Sequence, residues 1–161
     1  MKKELTVQEA RFKAEAYCSA SEHCKFEVFS KLRQWGIAEE SWESIVHHLE
    51  EERYIDEQRY ACAFVRDKYR FNQWGRIKII QALRMKQISS SCITEALEEI
   101  DEDEYLAVLI SLLKRKARTI KASSDYERTG KLIRFAGGHG YEMDDVLCCM
   151  KKIGCSDECL G

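Results

Sequence analysis

One apolar spacing recurs three times along this chain and constrains its architecture more tightly than any other feature. Ile37, Ile88 and Tyr141 stand 51 and 53 residues apart. Five, eight, nine and twelve residues beyond each lie Trp42, Ile45, Val46 and Leu49; Ile93, Ala96, Leu97 and Ile100; and Val146, Cys149, Met150 and Ile153. Nine, eight and five residues before each lie Val28, Phe29 and Leu32; Ile79, Ile80 and Leu83; and Leu132, Ile133 and Ala136. All 24 positions are apolar in a chain whose apolar content is 45%. The earlier offsets trace one stripe of a helix with 3.6 residues per turn, and the later offsets trace a second. Each anchor is then the apolar residue of a tight turn between two helices. Gly36 and Gly140 precede the first and third anchors, where a helix end calls for the left-handed backbone that glycine adopts most easily. Gln87 takes that place in the second copy, at a cost of about 1 kcal/mol.

A further helix precedes each pair. Ala10, Ala14, Tyr17 and Cys18 fit the first, Tyr60, Ala61, Phe64 and Val65 the second, and Leu106, Leu109, Ile110 and Leu113 the third. Ser19-x-x-Glu22, Asp101-x-x-Glu104 and Ser124-x-x-Glu127 read as capping boxes, and Asp56 and the run Ser89-Ser90-Ser91 are placed to cap their helices. Helices are expected near 8–20, 22–35, 39–53, 57–71, 75–86, 90–100, 102–121, 125–137 and 142–152. One such triplet cannot bury its apolar faces alone, so neighbours must stack. The expected fold is all-α: an elongated array of three tandem three-helix repeats over residues 1–55, 56–100 and 101–154, with a C-terminal tail at 155–161. Asp56 paired with Arg59 would fix the start of the fourth helix, and Gly75 would permit a tight turn before the fifth.

Composition agrees. The chain has no proline, which a loop-rich or all-β protein would use at turns and strand edges. Charged residues make up 34%, and no apolar run approaches the length of a membrane span. The opening Met1-Lys2-Lys3-Glu4 has no apolar run behind it, so a cytoplasmic location is expected, with the eight cysteines reduced. Cys148, Cys149, Cys155 and Cys159, with His139, have the donor types of a tetrahedral zinc site. No CxxC pair exists, however, and the repeat claims Cys149 for the core. His47 and His48 point in different directions from a helix, and Asp144-Asp145 suits a helix start. No metal, cofactor or catalytic group is expected.

The formal charge of −2 hides a segregated distribution. Residues 59–86 hold Arg59, Arg66, Lys68, Arg70, Arg76, Lys78, Arg84 and Lys86 against the single acid Asp67. Residues 114–134 hold Lys114, Arg115, Lys116, Arg118, Lys121, Arg128, Lys131 and Arg134 against Asp125 and Glu127. Residues 95–104 hold seven acids and no base. Such separation makes local fields even when the total cancels. Arg66, Lys68, Arg70, Arg76, Lys78, Arg84 and Lys86, with Tyr69, Phe71 and Trp74 interleaved, suit phosphate contact and base stacking. Lys114, Arg115, Lys131 and Arg134 extend the candidate binding set. Reversing Arg76, Lys78 and Arg84 to glutamate is expected to abolish function while leaving helicity and melting temperature nearly unchanged, since exposed charges contribute little to stability.

The run from Leu49 through Tyr54-Ile55-Asp56 and Arg59-Tyr60-Ala61, then Trp74-Gly75-Arg76-Ile77 and Leu83-Arg84-Met85-Lys86-Gln87-Ile88, resembles the RecX regulatory proteins of bacteria. The likeness runs from about Ala10 to Ile153. Residues 135–141 are a looser version of a family turn, with Gly137, Gly138 and His139 where basic residues are expected. The resemblance implies a protein that lies in the groove of the RecA recombinase–DNA filament and inhibits its growth, ATP hydrolysis and strand exchange. It also implies binding to RecA and to single-stranded DNA within the filament, with no cofactor and no membrane. We expect a monomer. The alternatives are a helical DNA-binding repressor, opposed by the acidic segments 39–53 and 90–100, and a helical scaffold for another protein.

Overall fold

The computed structural model describes residues 4–154, and their regular structure is entirely helical. In chain order the helices are α1 (Val7–Ala20), α2 (Lys25–Gln34), α3 (Trp42–Glu51), α4 (Glu57–Arg70), α5 (Arg76–Met85), α6 (Ser90–Glu98), α7 (Glu102–Thr119), α8 (Asp125–Gly138) and α9 (Met143–Lys152). A 3₁₀ turn at Glu39–Ser41 leads into α3. No helix among the described residues is long and apolar enough to cross a membrane.

The repeat is visible in the turns. The N–H of each anchor donates to the carbonyl five residues back: Ile37 to Leu32 at 3.0 Å, Ile88 to Leu83 at 3.1 Å, and Tyr141 to Ala136 at 3.2 Å. The residue before each anchor, Gly36, Gln87 or Gly140, has φ of 75°, 60° or 93°. Its N–H donates to the carbonyl three residues back, at 3.0, 2.9 and 3.0 Å. This is the paired bonding of a Schellman helix end, made three times. Gln87 adopts the strained conformation because the turn demands it. None of the 24 repeat positions is exposed.

The described chain packs as two compact units. One comprises Met1–Ala63 and Leu83–Ala96, the other Phe64–Ala82 and Leu97–Gly161. Residues of the middle helices α4, α5 and α6 thus contribute to both cores. The division into repeats at 55/56 and 100/101 is a proposal drawn from periodicity. In the first unit Ala10, Ala14, Val28, Leu32, Ile45 and Leu49 have no exposed surface and form one cluster with Ile37 and Ile55. In the second, Ile79, Tyr105, Leu109, Leu113, Leu132 and Met150 are equally enclosed.

Several local expectations need correcting. Ser19 and Glu22 form no capping box, because α1 continues through Ala20 and the Ser19 hydroxyl donates to the Glu15 carbonyl inside that helix. The α2 start lies at Cys24, whose N–H donates to the Glu27 carboxylate at 3.3 Å. Asp56 caps α4 by accepting the backbone N–H of Arg59 at 3.0 Å. The Arg59 guanidinium turns away from Asp56, to Glu22 at 2.6 Å and the Arg53 carbonyl at 3.1 Å. Gly75 serves a close backbone approach and does not adopt a left-handed turn.

Candidate functional site

Arg76 opens α5 and anchors it within the second unit. Its backbone N–H donates to the Tyr105 hydroxyl at 3.0 Å, and that hydroxyl donates to Glu142 at 3.3 Å. The guanidinium lies 4.0 Å from the centre of the Tyr105 ring and reaches three carboxylates. These are Glu102, Glu142 at 3.1 Å and Asp145 at 3.6 Å. Burial works against the Arg76 charge, and Glu102, Tyr105 and Glu142 more than offset it. Burial and the neighbouring Glu142 push the Asp145 carboxyl up, against the pull of Arg76. Arg76 is 21% exposed, so it is a fold-locking residue before it is a surface charge.

The other candidates divide into paired and unpaired cations. Arg70 grips Glu104 through two bonds of 2.6 and 3.2 Å, which hold that carboxylate below its ordinary range. Lys86, in the first unit, meets Glu27 at 3.3 Å. Lys131 meets Glu127 at 3.2 Å and the Lys121 carbonyl at 2.7 Å. Lys68 and Lys78 lie over the Trp74 ring, 4.8 and 4.6 Å from its centre. Arg66, Arg84, Lys114 and Arg134 are exposed, and among the described residues none makes an ion pair. All belong to the second unit except Arg84 and Lys86.

Of the three interleaved aromatics, Tyr69 is buried at 2% exposure and Trp74 is half-buried, while Phe71 is 80% exposed. Only Phe71 offers its ring broadly to a partner. The two basic runs meet where the Arg115 side chain donates to the Gln73 side chain, in the connection between α4 and α5. Gln73 holds φ of 58°, and its carbonyl accepts the Tyr141 hydroxyl at 3.0 Å. Sequence reasoning missed Gln73, and also missed that Glu102 and Glu104 of the acidic run belong with the basic face. Those pairs span 26 and 34 residues, so no local spacing announces them.

Among the described residues, no group of histidine, cysteine, aspartate or glutamate side chains has the arrangement of a metal site. Cys149 is buried, its thiol pushed up to about 11 by burial, and it faces the Leu106 carbonyl at 3.8 Å. Cys155 and Cys159 lie outside the described residues.

Helical triplets closed by left-handed turns of one bonding pattern define the class of three-helix-repeat proteins. Residues 56–97 match the second three-helix domain of RecX, and residues 102–150 match the third. Together these cover more than half of the chain, which belongs to the RecX family. The regulatory protein RecX of Bacillus mycoides (strain KBAB4) is 26% identical over 147 residues, covering 91% of this chain and 54% of the relative. The Bacillus cytotoxicus protein of the same name gives the same figures. The chain thus spans about half the length of the curated relatives it matches. A crystal structure of RecX from Lactobacillus salivarius superposes with a TM-score of 0.81 at 20% identity, covering 92% of this chain and 96% of that one. A second crystal structure of regulatory protein RecX gives 0.78 at 22% identity, covering 91% and 74%. These structures establish the shared fold.

Proposed function

We propose that this protein binds the filament formed by the RecA recombinase on DNA and restrains its growth, ATP hydrolysis and strand exchange. It acts in the cytoplasm as a monomer and a regulator, with no catalytic residue or cofactor. The mechanism is steric and electrostatic: a helical protein seated in the filament groove obstructs partner DNA and subunit movement.

One observation carries this reading. The unpaired cations Arg66, Arg84, Lys114 and Arg134 all fall inside the two segments that match RecX domains. Within the second unit, Lys68 and Lys78, held over Trp74, and the exposed Phe71 complete a binding surface with Arg66, Lys114 and Arg134, while Arg70, Arg76, Arg115 and Lys131 hold it in shape; Arg84 and Lys86 belong to the first unit. The repressor alternative finds no support, because α3 exposes Glu43, Glu50 and Glu51, and α6 exposes Glu95 and Glu98. Carboxylates at those positions repel phosphate. Co-sedimentation with RecA filaments assembled on single-stranded DNA tests the proposal. Retention that weakens steeply with salt is expected, and no retention at stoichiometric excess would contradict it.

A further inference from the structure

The end of α7 and the middle of α8 enclose an open pocket of about 600 Å³. Its walls carry Lys116, Lys121, Lys131 and Arg134, with Thr119 and the Phe135 ring between them. Among the described residues, no carboxylate lines it. The grooves beside α2 and α3 are different, since they set Lys25, Arg33 and Lys86 against Glu39, Glu43, Glu50 and Glu57. Lys131 is paired with Glu127 at 3.2 Å, so the excess positive charge on this concavity comes from Lys116, Lys121 and Arg134, and it favours a ligand with several negative charges.

The connection between the two helices is fixed from within. Arg128 donates to the Ala117 carbonyl, and the Lys131 ammonium donates to the Lys121 carbonyl at 2.7 Å. Ser123 donates through its backbone N–H and its hydroxyl to Glu127, at 3.2 and 2.6 Å. The backbone that carries Lys121 is therefore ordered before any ligand arrives, which lowers the entropic cost of binding. The Lys121 and Arg134 side chains are exposed, and among the described residues neither makes an ion pair. The Lys116 ammonium lies 4.8 Å over the Phe135 ring.

We propose that this pocket takes consecutive phosphates of a single-stranded nucleic acid, with Lys121 and Arg134 touching them directly and Lys116 closing on the strand beside Phe135. An arginine fork meets a phosphate through two bonds, while a lysine supplies a point charge to its neighbour. Cations around an aromatic in a concave site are the combination that single strands use. The inference deepens the filament reading, which brings the chain to DNA, by naming where on this chain the strand is held.

The test is fluorescence anisotropy of a labelled oligothymidylate titrated with the full chain at several salt concentrations. The double variant Lys121→Gln, Arg134→Gln should bind about tenfold more weakly or worse. Its slope of log K against log salt should fall in magnitude by about 1.4, because each phosphate neutralised on a single strand adds about 0.7 to that slope. Its helix content and melting temperature should match those of the parent. A control pair in the first unit, Lys13→Gln with Arg33→Gln, should bind as the parent does. Unchanged affinity and slope in the pocket variant would overturn the proposal. So would displacement of the oligonucleotide by inorganic tripolyphosphate at equal phosphate concentration, which would make the site one for free polyphosphate. Oligothymidylate binding by a chain that ignores RecA filaments would count against the filament reading alone.

Discussion

Gly75 and Gly140 approach until a side chain on either would collide with the other's segment. The Gly75 N–H donates to the His139 carbonyl at 2.7 Å, and the Ile77 N–H donates to the Gly140 carbonyl at 2.9 Å. A Cβ on Gly75 would sit 2.3 Å from the Gly140 carbonyl carbon, and one on Gly140 would sit 2.4 Å from the Lys78 Cβ. The start of α5 is thus bonded, backbone to backbone, onto the turn between α8 and α9.

Gly75→Ala should therefore cost about 3 kcal/mol, because backbone and not a flexible side chain stands in the way. Gly36→Ala should cost only about 1 kcal/mol, since Gly36 has positive φ but open space around it. At roughly 2–4 °C per kcal/mol in a chain of this size, thermal melting separates the two. Equal losses would show that the neighbouring backbone gives way and that the close approach does not govern Gly75.

Arg76→Ala leaves three carboxylates facing one another without their common cation. A half-screened site of this kind should lose about 2 kcal/mol, below the cost of breaking a fully buried pair. Arg66→Ala, at an exposed position without an ion pair among the described residues, should stay within about 0.5 kcal/mol of the parent. The expectation from sequence, that reversing Arg76 with Lys78 and Arg84 leaves melting unchanged, is opposed at Arg76 by its contacts with Glu102, Glu142 and Asp145. Denaturant titration of the two single variants checks this directly.

The Glu127 carboxyl is held down to about 2 by the Ser123 hydroxyl, the Ser123 N–H and Lys131. Its folded value lies below the ordinary 4.5, so its contribution to stability is complete above that pH and disappears as pH falls toward 2. Ser123→Ala removes the leading cause, and the carboxyl should titrate closer to 4.5. Side-chain carboxyl shifts followed by NMR would show the move. An identical midpoint in the two proteins would rule out the hydroxyl as the cause.

Phe71→Ala should leave stability within about 0.5 kcal/mol, because the ring is 80% exposed. If Phe71 stacks on a base, retention on RecA filaments should fall by the equivalent of about 1–3 kcal/mol. Sedimentation of the variant with filaments decides it, and undiminished retention would remove Phe71 from the binding surface.

The helices were legible because apolar stripes at helical spacing leave few other folds open. All three anchor turns follow the repeat, including the one where Gln87 replaces glycine. Where side chains alone choose between local alternatives, sequence was a weaker guide. Ser19 bonds back into α1 while Cys24, a poor cap by type, opens α2. Arg53 and Gln73 take left-handed conformations at φ of 61° and 58° without a glycine to announce them. The candidate site was legible as a set of cations and hardly at all as a surface. Arg76 finds Glu142 across 66 residues, and only the fold shows that this arginine is bound while Arg66 is not.

In the proposed function a RecA filament is restrained through exposed cations such as Arg66 and Lys114. The most direct measurement is the steady-state rate of ATP hydrolysis by RecA filaments on single-stranded DNA, as this protein is added to stoichiometric excess. The rate should fall with increasing protein, and the Arg66→Glu, Lys114→Glu variant, folded as well as the parent, should lose most of that effect. A rate that stays constant across the titration would mean that this protein does not restrain the filament.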